Sequence, residues 1–250
     1  MRAIILAAGT GSRLRAHTEL PKCLLKLGDR HLIQHQIDAL STLGIDDIHV
    51  ILGYRSDDVA MVLPPHVQHH LYSGFADTNN LWTLAAFATL LSDTCVILFA
   101  DVWVDSDALR DLVRTEAEIA VLADGRACLG GTMRVLAQGE RLVDLGSHIT
   151  VAQGDGNFIG IARFSARAAS ALGERIVDRV RRGELKQAYY TSVIPELSVE
   201  FPALVFWMGG RPWIEIDCEE DLRKANRLPI ASSTSAPAVL AERNVQCADS

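Results

Sequence analysis

A cluster of glycines and basic residues near the start of the chain has the composition of a phosphate-binding site. Residues 7–13 are AAGTGSR. Small residues and two glycines let the backbone approach a ligand and turn several N–H groups the same way. Six of the first 30 residues are Lys or Arg and two are acidic, a local charge of +4 in a chain whose formal net charge is −7. A basic glycine-rich loop in an acidic protein favours a small phosphate-bearing ligand over a nucleic-acid surface.

The spacing within this loop does not fit two common phosphate-binding motifs. A Walker loop requires Gly-Lys-Ser/Thr five residues after its first glycine, and counting from Gly9 this chain has LRA. A dinucleotide fingerprint requires a third glycine at the position of Leu14. What remains is a strand, then LAAGTGSRL and, about seven residues later, PKCLL. The alternative interpretation is a structural glycine turn with solvated charges.

Acidic side chains follow two further predicted strands. Residues 94–100 (TCVILFA) form a continuous apolar run typical of a strand buried on both faces, and Asp101 comes directly after it. Ligands of open α/β sheets bind at the carboxyl ends of the strands, so Asp101 is placed to hold a cation over bound phosphates. The alternation of Glu215 and Asp217 puts both carboxylates on one face of a later strand. Two distant carboxylates suit a phosphate-bound magnesium site, although Asp101 could instead cap a helix or serve a turn.

Two asparagines and a tryptophan are candidates for contacts with a ligand. Asn79 and Asn80 fall in the first turn of a helix predicted to begin after an N-cap at Thr78, where free backbone N–H groups also point. Either both asparagines help to cap the helix, or they contact the ligand. Trp82 lies on the same helix beside apolar positions, so it serves equally well as a core residue or as a binding residue.

The elements that position these residues alternate between strand and helix, which predicts a parallel sheet with right-handed crossovers. Strands are predicted at residues 3–6, 48–52, 67–72, 94–100, 119–122, 204–207 and 213–216, and helices at 31–43, 56–62, 78–91, 108–116, 165–182 and 188–197. Three short runs, at residues 131–135, 142–145 and 158–161, are separated by glycine turns. They predict a small antiparallel insert laid against the main sheet.

The composition of the 250-residue chain, with 49% hydrophobic and 22% charged residues, is that of a globular protein. No apolar run reaches eighteen residues, so no transmembrane helix is expected, and the N-terminus lacks a signal-peptide pattern. Five scattered cysteines form no CxxC pair and no zinc spacing, which favours reduced thiols in a cytoplasmic protein. The acidic balance argues against nucleic acid or an anionic membrane as a partner.

We expect one domain over residues 1–228 and a flexible C-terminal tail over residues 229–250, because the chain becomes small and polar after Leu228. The three histidines near residues 64–70 are expected on the surface, since no acidic or cysteine partner is spaced for a metal. Whether the protein acts alone or as a homodimer is left open by the sequence.

Five segments of the chain resemble the nucleotidyltransferases that make sugar nucleotides and CDP-alcohols, in particular their phosphocholine cytidylyltransferase branch. The segments are LAAGTGSRL, PKCLLKL, the strand ending at Asp101, GNFIGIARF and PWIEIDCEEDL. That branch also includes cytidylyltransferases acting on small phosphonates. Sugar-specific members usually carry a Gln and a Pro-x-Gly-Leu-Ala stretch where this chain has FADTNNLWTL. The resemblance, with the elements above, implies a Rossmann-like three-layer α/β sandwich whose central sheet is mixed and mostly parallel.

The same resemblance implies a role for each candidate residue. Lys22 and Arg13 would be the catalytic cations that bind phosphates, and Asp101 and Asp217 would hold Mg²⁺. The base and triphosphate of the nucleotide would lie against Leu6, Ala7, Ala8, Gly9, Thr10, Gly11, Ser12, Asn79 and Asn80. The acceptor would contact Glu215, Trp82, Tyr189 and Tyr190, since aromatic faces and a carboxylate suit a quaternary ammonium group.

The implied activity is transfer of CMP from CTP to a small phosphorylated or phosphonate acceptor, such as phosphocholine, aminoethylphosphonate or hydroxyethylphosphonate, with release of pyrophosphate. One alternative is a sugar-1-phosphate nucleotidyltransferase that uses UTP or dTTP. A second is a catalytically silent regulatory protein that binds nucleotides. The sequence does not specify the acceptor.

Overall fold

A computed structural model describes residues 1–11, 19–126 and 133–228. Its strands are β1 (Arg2–Ala7), β2 (Lys26–Leu27), β3 (Arg30–His31), β4 (Asp47–Leu52), β5 (Gln68–Leu71), β6 (Cys95–Phe99), β7 (Val102–Val104), β8 (Ile119–Asp124), β9 (Arg134–Gln138), β10 (Arg141–Gly146), β11 (Gly156–Phe164), β12 (Ala203–Trp207) and β13 (Trp213–Glu215). Its α-helices are α1 (Leu32–Thr42), α2 (Ser56–Ala60), α3 (Asn80–Ala86), α4 (Ser106–Arg114), α5 (Ala166–Arg181), α6 (Ile194–Leu197) and α7 (Glu219–Ala225). The predicted tail, residues 229–250, lies outside the described residues.

Nine strands form one mixed sheet in the order β5-β4-β1-β6-β11-β8-β12-β10-β9. Strand β1 runs parallel to both β4 and β6, and β12 runs parallel to β8. Strand β11 is antiparallel to both of its neighbours, β6 and β8. The carboxyl ends of β1, β4 and β6 therefore meet at one edge of the sheet, which is where ligands bind in folds of this kind.

The two faces of the sheet bury separate apolar clusters, which gives three layers. Alternate residues of β1 point to opposite faces. Ile5 packs with Ile33 and Ile37 of α1 in one cluster, and Ile4 packs with Leu84 of α3 in the other. The predicted α/β sandwich with a mixed central sheet is thus confirmed. No helix in the described residues is long and apolar enough to cross a membrane.

The predicted antiparallel insert is corrected by the structure. Residues 158–161 belong to β11, a fully buried nine-residue strand at the centre of the main sheet. The β9–β10 hairpin extends the same sheet and does not lie against it. Gly160 lies inside β11 with a φ of +84°, and a Cβ there would stand only 3.0 Å from a Phe99 side-chain atom. A glycine is needed at this position because of close packing inside a strand, and it does not mark a turn.

Helix α3 begins one residue later than the predicted N-cap allowed. Asn79, not Thr78, is the N-cap, and its side-chain oxygen accepts a hydrogen bond from the backbone N–H of Asn80 at 2.8 Å. The Thr78 hydroxyl instead donates to the carbonyl of Gly74 at 2.8 Å. The α-helix also ends at Ala86, and a 3-10 segment over Ala88–Ser92 continues the apolar face.

Candidate active site

A cleft of about 370 Å³ opens where β1 and β6 end. Every described residue of the predicted nucleotide-binding set borders it, together with Lys22, Asp101, Glu215 and Asp217. Ser12 and Arg13 lie outside the described residues. The lining residues are Leu6, Ala7, Ala8, Gly9, Thr10, Gly11, Pro21, Lys22, Cys23, Phe75, Ala76, Thr78, Asn79, Asn80, Thr83, Phe99, Ala100, Asp101, Gln187, Tyr189, Glu215 and Asp217.

The glycine loop is held against the end of β4. The backbone N–H of Tyr54 donates to the Ala8 carbonyl at 3.2 Å. Gly53 makes this approach feasible, because a Cβ at residue 53 would lie 2.6 Å from the Ala8 oxygen and 2.7 Å from the Phe75 Cβ. The loop backbone and the Phe75 side chain are therefore packed together on one wall of the cleft.

Three carboxylates meet in the same cleft. One carboxylate oxygen from each of Asp101, Glu215 and Asp217 lies within 4.8 Å of the other two. The segments that carry them are joined by a two-stranded sheet in which Glu215 of β13 pairs with Val102 of β7. The backbone N–H of Ile216 also donates to the Asp101 carbonyl at 2.9 Å. Residues more than a hundred positions apart are thus fixed to one another by backbone hydrogen bonds.

Lys22 lies directly on this carboxylate cluster. Its Nζ donates to Asp101 Oδ2 at 2.9 Å and to Asp217 Oδ1, and its side chain is 14% exposed. Burial alone would lower the pKa of Lys22, but the charges of Asp101 and Asp217 and their hydrogen bonds outweigh burial, so its pKa is raised. The ammonium is therefore fully charged near neutral pH.

The cluster has the chemistry of a divalent-cation site. Carboxylate oxygens are the ligands that Mg²⁺ and similar hard cations prefer, and three of them converge here in a half-buried position. The Lys22 ammonium already shows that a cation is stable at this point. Asp101, Glu215 and Asp217 could together hold a metal facing the glycine loop.

The cleft offers no activated thiol among its described residues. Cys23 borders the cleft, but its side chain is buried, and burial raises the pKa of the thiol to about 12. A thiol with that pKa is protonated near neutral pH and is a poor nucleophile. The chemistry of the site therefore rests on cations and carboxylates.

The two asparagines border the cleft and also hold the local structure. Asn79 caps α3, as described above, and the Asn80 side-chain oxygen accepts from the backbone N–H of Tyr190 at 2.8 Å. The backbone N–H of Asn79 donates to the Lys186 carbonyl at 2.7 Å. The capping role considered for both residues is found for Asn79 alone, because Asn80 is the first residue of α3 and its side chain binds Tyr190 instead. A ligand contact of either residue stays a prediction.

The four residues predicted to contact the acceptor lie in different parts of the structure. Tyr189 borders the cleft and is 39% exposed, and Glu215 lies in the carboxylate cluster. Tyr190 has no exposed surface and packs edge-on to Phe99 in the core, so we withdraw it from the acceptor pocket. Trp82 lies outside the cleft. It lines a separate apolar groove between α3 and α5 and donates its Nε1 hydrogen to the Leu185 carbonyl at 3.2 Å.

Several cleft residues were not anticipated from the sequence. Phe75, Thr78, Thr83, Phe99 and Gln187 all border the cleft. Phe99 and Thr78 adjoin predicted site residues, so proximity to Asp101 and Asn79 was an available signal. The sequence held no such signal for Gln187, because this residue reaches the cleft only when the segment after α5 docks on the start of α3.

Comparison with known proteins identifies the family of this chain. The MobA-like NTP transferase domain matches residues 3–182, which is more than half of the chain. The chain belongs to the MobA-like NTP transferase family. It is a nucleotidyltransferase, and members of this family generally use a divalent metal. The predicted relationship to nucleotidyltransferases of CDP-alcohols and sugars is confirmed.

Two relatives show which transferases resemble this MobA-like NTP transferase. It is 26% identical over 230 residues to the choline-phosphate cytidylyltransferase of Streptococcus pneumoniae, an alignment that covers 91% of this chain and 98% of the relative. It is 31% identical over 137 residues to the CTP:phosphoglutamine cytidylyltransferase of Campylobacter jejuni, covering 51% of this chain and 54% of that relative.

Two solved structures share the fold of this MobA-like NTP transferase. The CTP:phosphocholine cytidylyltransferase of Streptococcus pneumoniae superposes with a TM-score of 0.74 at 25% identity, covering 90% of this chain and 97% of the other. A structure described as a glucose-1-phosphate thymidylyltransferase of Bacillus anthracis gives a TM-score of 0.76 at 20% identity, covering 90% and 94%. At that lower identity the second likeness concerns the fold alone.

Proposed function

We propose that this protein transfers CMP from CTP to a small phosphorylated or phosphonate acceptor and releases pyrophosphate. The observation that carries the proposal is the meeting of Lys22 with a cluster of three carboxylates in the cleft that the glycine loop also borders. That arrangement suits a triphosphate and a metal. Its similarity to two cytidylyltransferases supports CTP as the nucleotide.

We propose Mg²⁺ as the metal held by Asp101, Glu215 and Asp217. When bound, Mg²⁺ supplies positive charge that neutralises phosphate oxygens during phosphoryl transfer. The converging carboxylate oxygens and the cation already seated on them fit such an ion. This assigns Glu215 to the metal cluster as well, although the sequence suggested it for the acceptor pocket.

The chain's own residues bind and orient the reactants. The N–H groups of the glycine loop hold phosphates, and the Lys22 ammonium stabilises charge at the α-phosphate. An oxygen of the acceptor's phosphate or phosphonate forms a bond to the α-phosphorus, and the bond to the bridging oxygen breaks, so that pyrophosphate leaves with the electron pair. The acceptor is already anionic near neutral pH, so no general base is needed. Arg13, which lies outside the described residues, is proposed as a second phosphate-binding cation.

We propose that the acceptor binds towards Phe75 and Tyr189. These aromatic side chains border the cleft, and Tyr189 is partly exposed. Aromatic faces suit a quaternary ammonium or another cationic group on the acceptor. The acceptor's other end would then present its phosphate or phosphonate oxygen to the nucleotide.

A sugar-1-phosphate nucleotidyltransferase that uses UTP or dTTP is the second candidate. A thymidylyltransferase structure shares the fold of this chain at a TM-score of 0.76 and 20% identity, so the fold is compatible with both candidates. The replacement of the sugar-type stretch by FADTNNLWTL counts against the second candidate. A silent nucleotide-binding protein is less well supported, because Lys22 and the three carboxylates are all present and assembled.

The test is pyrophosphate release with Mg²⁺, crossing CTP, UTP, dTTP, ATP and GTP with phosphocholine, aminoethylphosphonate, hydroxyethylphosphonate and glucose-1-phosphate. We expect release with CTP and one phosphate or phosphonate acceptor, and none after chelation of the metal. Asp217→Asn should lose this activity, whereas Asp107→Asn, which changes an exposed carboxylate of α4, should keep it.

Three outcomes would contradict the proposal. Release with UTP or dTTP and glucose-1-phosphate would establish the sugar-nucleotide alternative. Release that persists in Asp217→Asn would remove Asp217 from the site. CTP that raises the melting temperature without release in any combination would favour the silent nucleotide-binding protein.

A further inference from the structure

Gln36 of α1 lies behind the cleft and contacts the turn that carries Asp101. Its side chain is 5% exposed. Its Nε2 lies 2.8 Å from the Phe99 carbonyl oxygen and 2.7 Å from the Val102 carbonyl oxygen. The amide group has two hydrogens, so it donates one to each carbonyl. Those carbonyls belong to the first and last residues of the turn from β6 to β7.

The amide orientation of Gln36 is fixed by these partners. The reverse orientation would put Oε1 against two carbonyl oxygens. In the observed orientation, Oε1 is buried and accepts no hydrogen bond from the described residues. A buried acceptor without a partner costs stability. The unpaired Oε1 of Gln36 therefore lowers the stability of the fold, while Nε2 of the same side chain binds both ends of the turn.

The turn is held on its other sides as well. The backbone N–H of Ala100 donates to the Leu6 carbonyl at 3.2 Å, and the Asp101 carbonyl accepts from Ile216 at 2.9 Å. Leu6 belongs to the glycine-loop strand, and Ile216 lies between Glu215 and Asp217. Gln36 supplies the third support, from the helix layer, so the backbone of Asp101 cannot shift without breaking one of these bonds.

We propose that Gln36 is a positioning residue that orients the Asp101 carboxylate for metal binding through the Phe99 and Val102 carbonyls. The inference rests on the proposed function, because it takes the carboxylate cluster to be the metal site. Gln36 is not among the described residues that border the cleft, so its proposed effect is indirect. Gln36 would orient the Asp101 carboxylate through the backbone on either side of Asp101. Hydrogen-bond partners of metal ligands orient those ligands in a similar way in other metal sites.

The test is Mn²⁺ binding to the full chain without nucleotide, measured by the electron paramagnetic resonance signal of free Mn²⁺. Gln36→Met keeps the length of the side chain and removes both donors. We expect it to weaken Mn²⁺ binding by about 10–100-fold, the range found when such outer partners are lost. Gln36→Asn keeps the amide but is one methylene shorter, so it should reach only one carbonyl and give an intermediate loss.

Gln34→Met is the matched control. Gln34 lies on the same helix, and its Nε2 donates to the Val62 carbonyl at 3.1 Å, away from the cleft. Urea unfolding of all variants separates stability from metal affinity. A merely structural role for Gln36 predicts lower stability with unchanged Mn²⁺ affinity, whereas the positioning role predicts weaker Mn²⁺ binding in folded protein.

The results that would overturn the role of Gln36 differ from the result that would contradict the metal site. Wild-type Mn²⁺ affinity in folded Gln36→Met would overturn the inference, as would an equal loss in Gln34→Met. Where Gln36→Met does not fold, unchanged affinity in Gln36→Asn would overturn it in the same way. A wild-type protein that binds no Mn²⁺ would contradict the proposed metal site itself, and this failure is distinguishable because it appears before any substitution.

Discussion

At the scale of single residues, the central feature is a lysine bound to the carboxylates proposed to hold a metal. Lys22 contacts Asp101 and Asp217 with little exposure to water. Three clustered carboxylates repel one another unless a cation lies among them. In the protein without metal, Lys22 supplies that cation from within the chain, and a divalent ion would take over the same task.

Lys22→Ala tests this arrangement. We expect turnover to fall by ~10²–10³, because a main stabiliser of charge on the transferring phosphoryl group is lost. We also expect added Mg²⁺ to raise the melting temperature more in the variant than in the wild type, since the carboxylates then lack their internal cation. Turnover by pyrophosphate release and melting by calorimetry provide the two measurements.

Lys26→Ala is the control for that substitution, because Lys26 is an exposed lysine four residues further along the chain. It should retain wild-type turnover and the wild-type response to Mg²⁺. Near-normal turnover in Lys22→Ala would remove Lys22 from its proposed catalytic role.

Residue types and spacing could predict the charged residues of the cleft but not which aromatic residues border it. Lys22, Asp101 and Asp217 each stand next to a recognisable strand or loop, so their common location follows from the topology. Tyr189 and Tyr190 are adjacent in the sequence, yet one borders the cleft and the other is in the core. That difference arises because the segment that carries both tyrosines docks on α3. No local sequence pattern predicts this docking.

At the scale of elements, the packing of β4's end against the glycine loop defines one wall of the cleft. Gly53 allows the approach of Ala8 and Phe75 because it has no Cβ. The contact joins two βα connections that are far apart in the sequence. It holds the backbone of the first loop at Ala8, although the residues there are small.

Gly53→Ala should disturb this wall. A methyl group 2.6 Å from the Ala8 oxygen forces the loop or Phe75 to move, and overpacking of this kind costs about 1–3 kcal/mol. We expect a lower free energy of unfolding in urea and a raised KM for CTP. Gly173→Ala in α5 is the control, because its Cβ would make only ordinary contacts at 3.4 Å or more. An unchanged KM for CTP in Gly53→Ala would contradict the proposed place of the nucleotide.

Element type was predictable wherever one face or a whole strand is apolar, as for β1, β4, β6, α1 and α5. The centre of the sheet was not predictable. Strand β11 contains glycines that indicate turns when seen locally, and its antiparallel direction between two parallel neighbours is set by long-range pairing. Sequence patterns describe burial and period, and they do not describe which strand inserts between which others.

At the scale of the whole molecule, a histidine network lies at the sheet edge formed by β5 and β4. His49 bonds to Asp47 on one side and to His70 on the other, each at 2.8 Å. Asp47 also accepts from Arg2 at 2.9 Å. The expectation that His70 is a surface residue needs correction, because its ring is half-buried and lies against Phe87.

This network should make stability depend on pH. Burial, and then the nearby charges of His49 and His69, lower the pKa of His70 below its usual 6.5. The unfolded chain then binds the proton more readily than the folded one. Stability is therefore fully present above pH 6.5 and declines as the pH falls from 6.5 through the lower pKa of the folded state.

Urea unfolding at several pH values across that window measures the effect. We expect the free energy of unfolding to rise with pH in the wild type, with a slope of at most about 1.4 kcal/mol per pH unit from one group. His70→Gln should flatten the slope, whereas His66→Gln, which removes an exposed imidazole from the preceding turn, should keep it. Equal slopes in His70→Gln and the wild type would show that His70 does not contribute.

The pairing of β13 with β7 also determines when, during synthesis, the protein becomes capable of its chemistry. A ribosome that has translated 200 codons has made the glycine loop, Lys22 and Asp101, but only one of the three clustered carboxylates. The other two lie beyond residue 200, and β13 must then dock on a segment made about a hundred residues before. We therefore expect a nascent chain that stops before residue 215 to lack the complete carboxylate cluster and to consume no nucleotide.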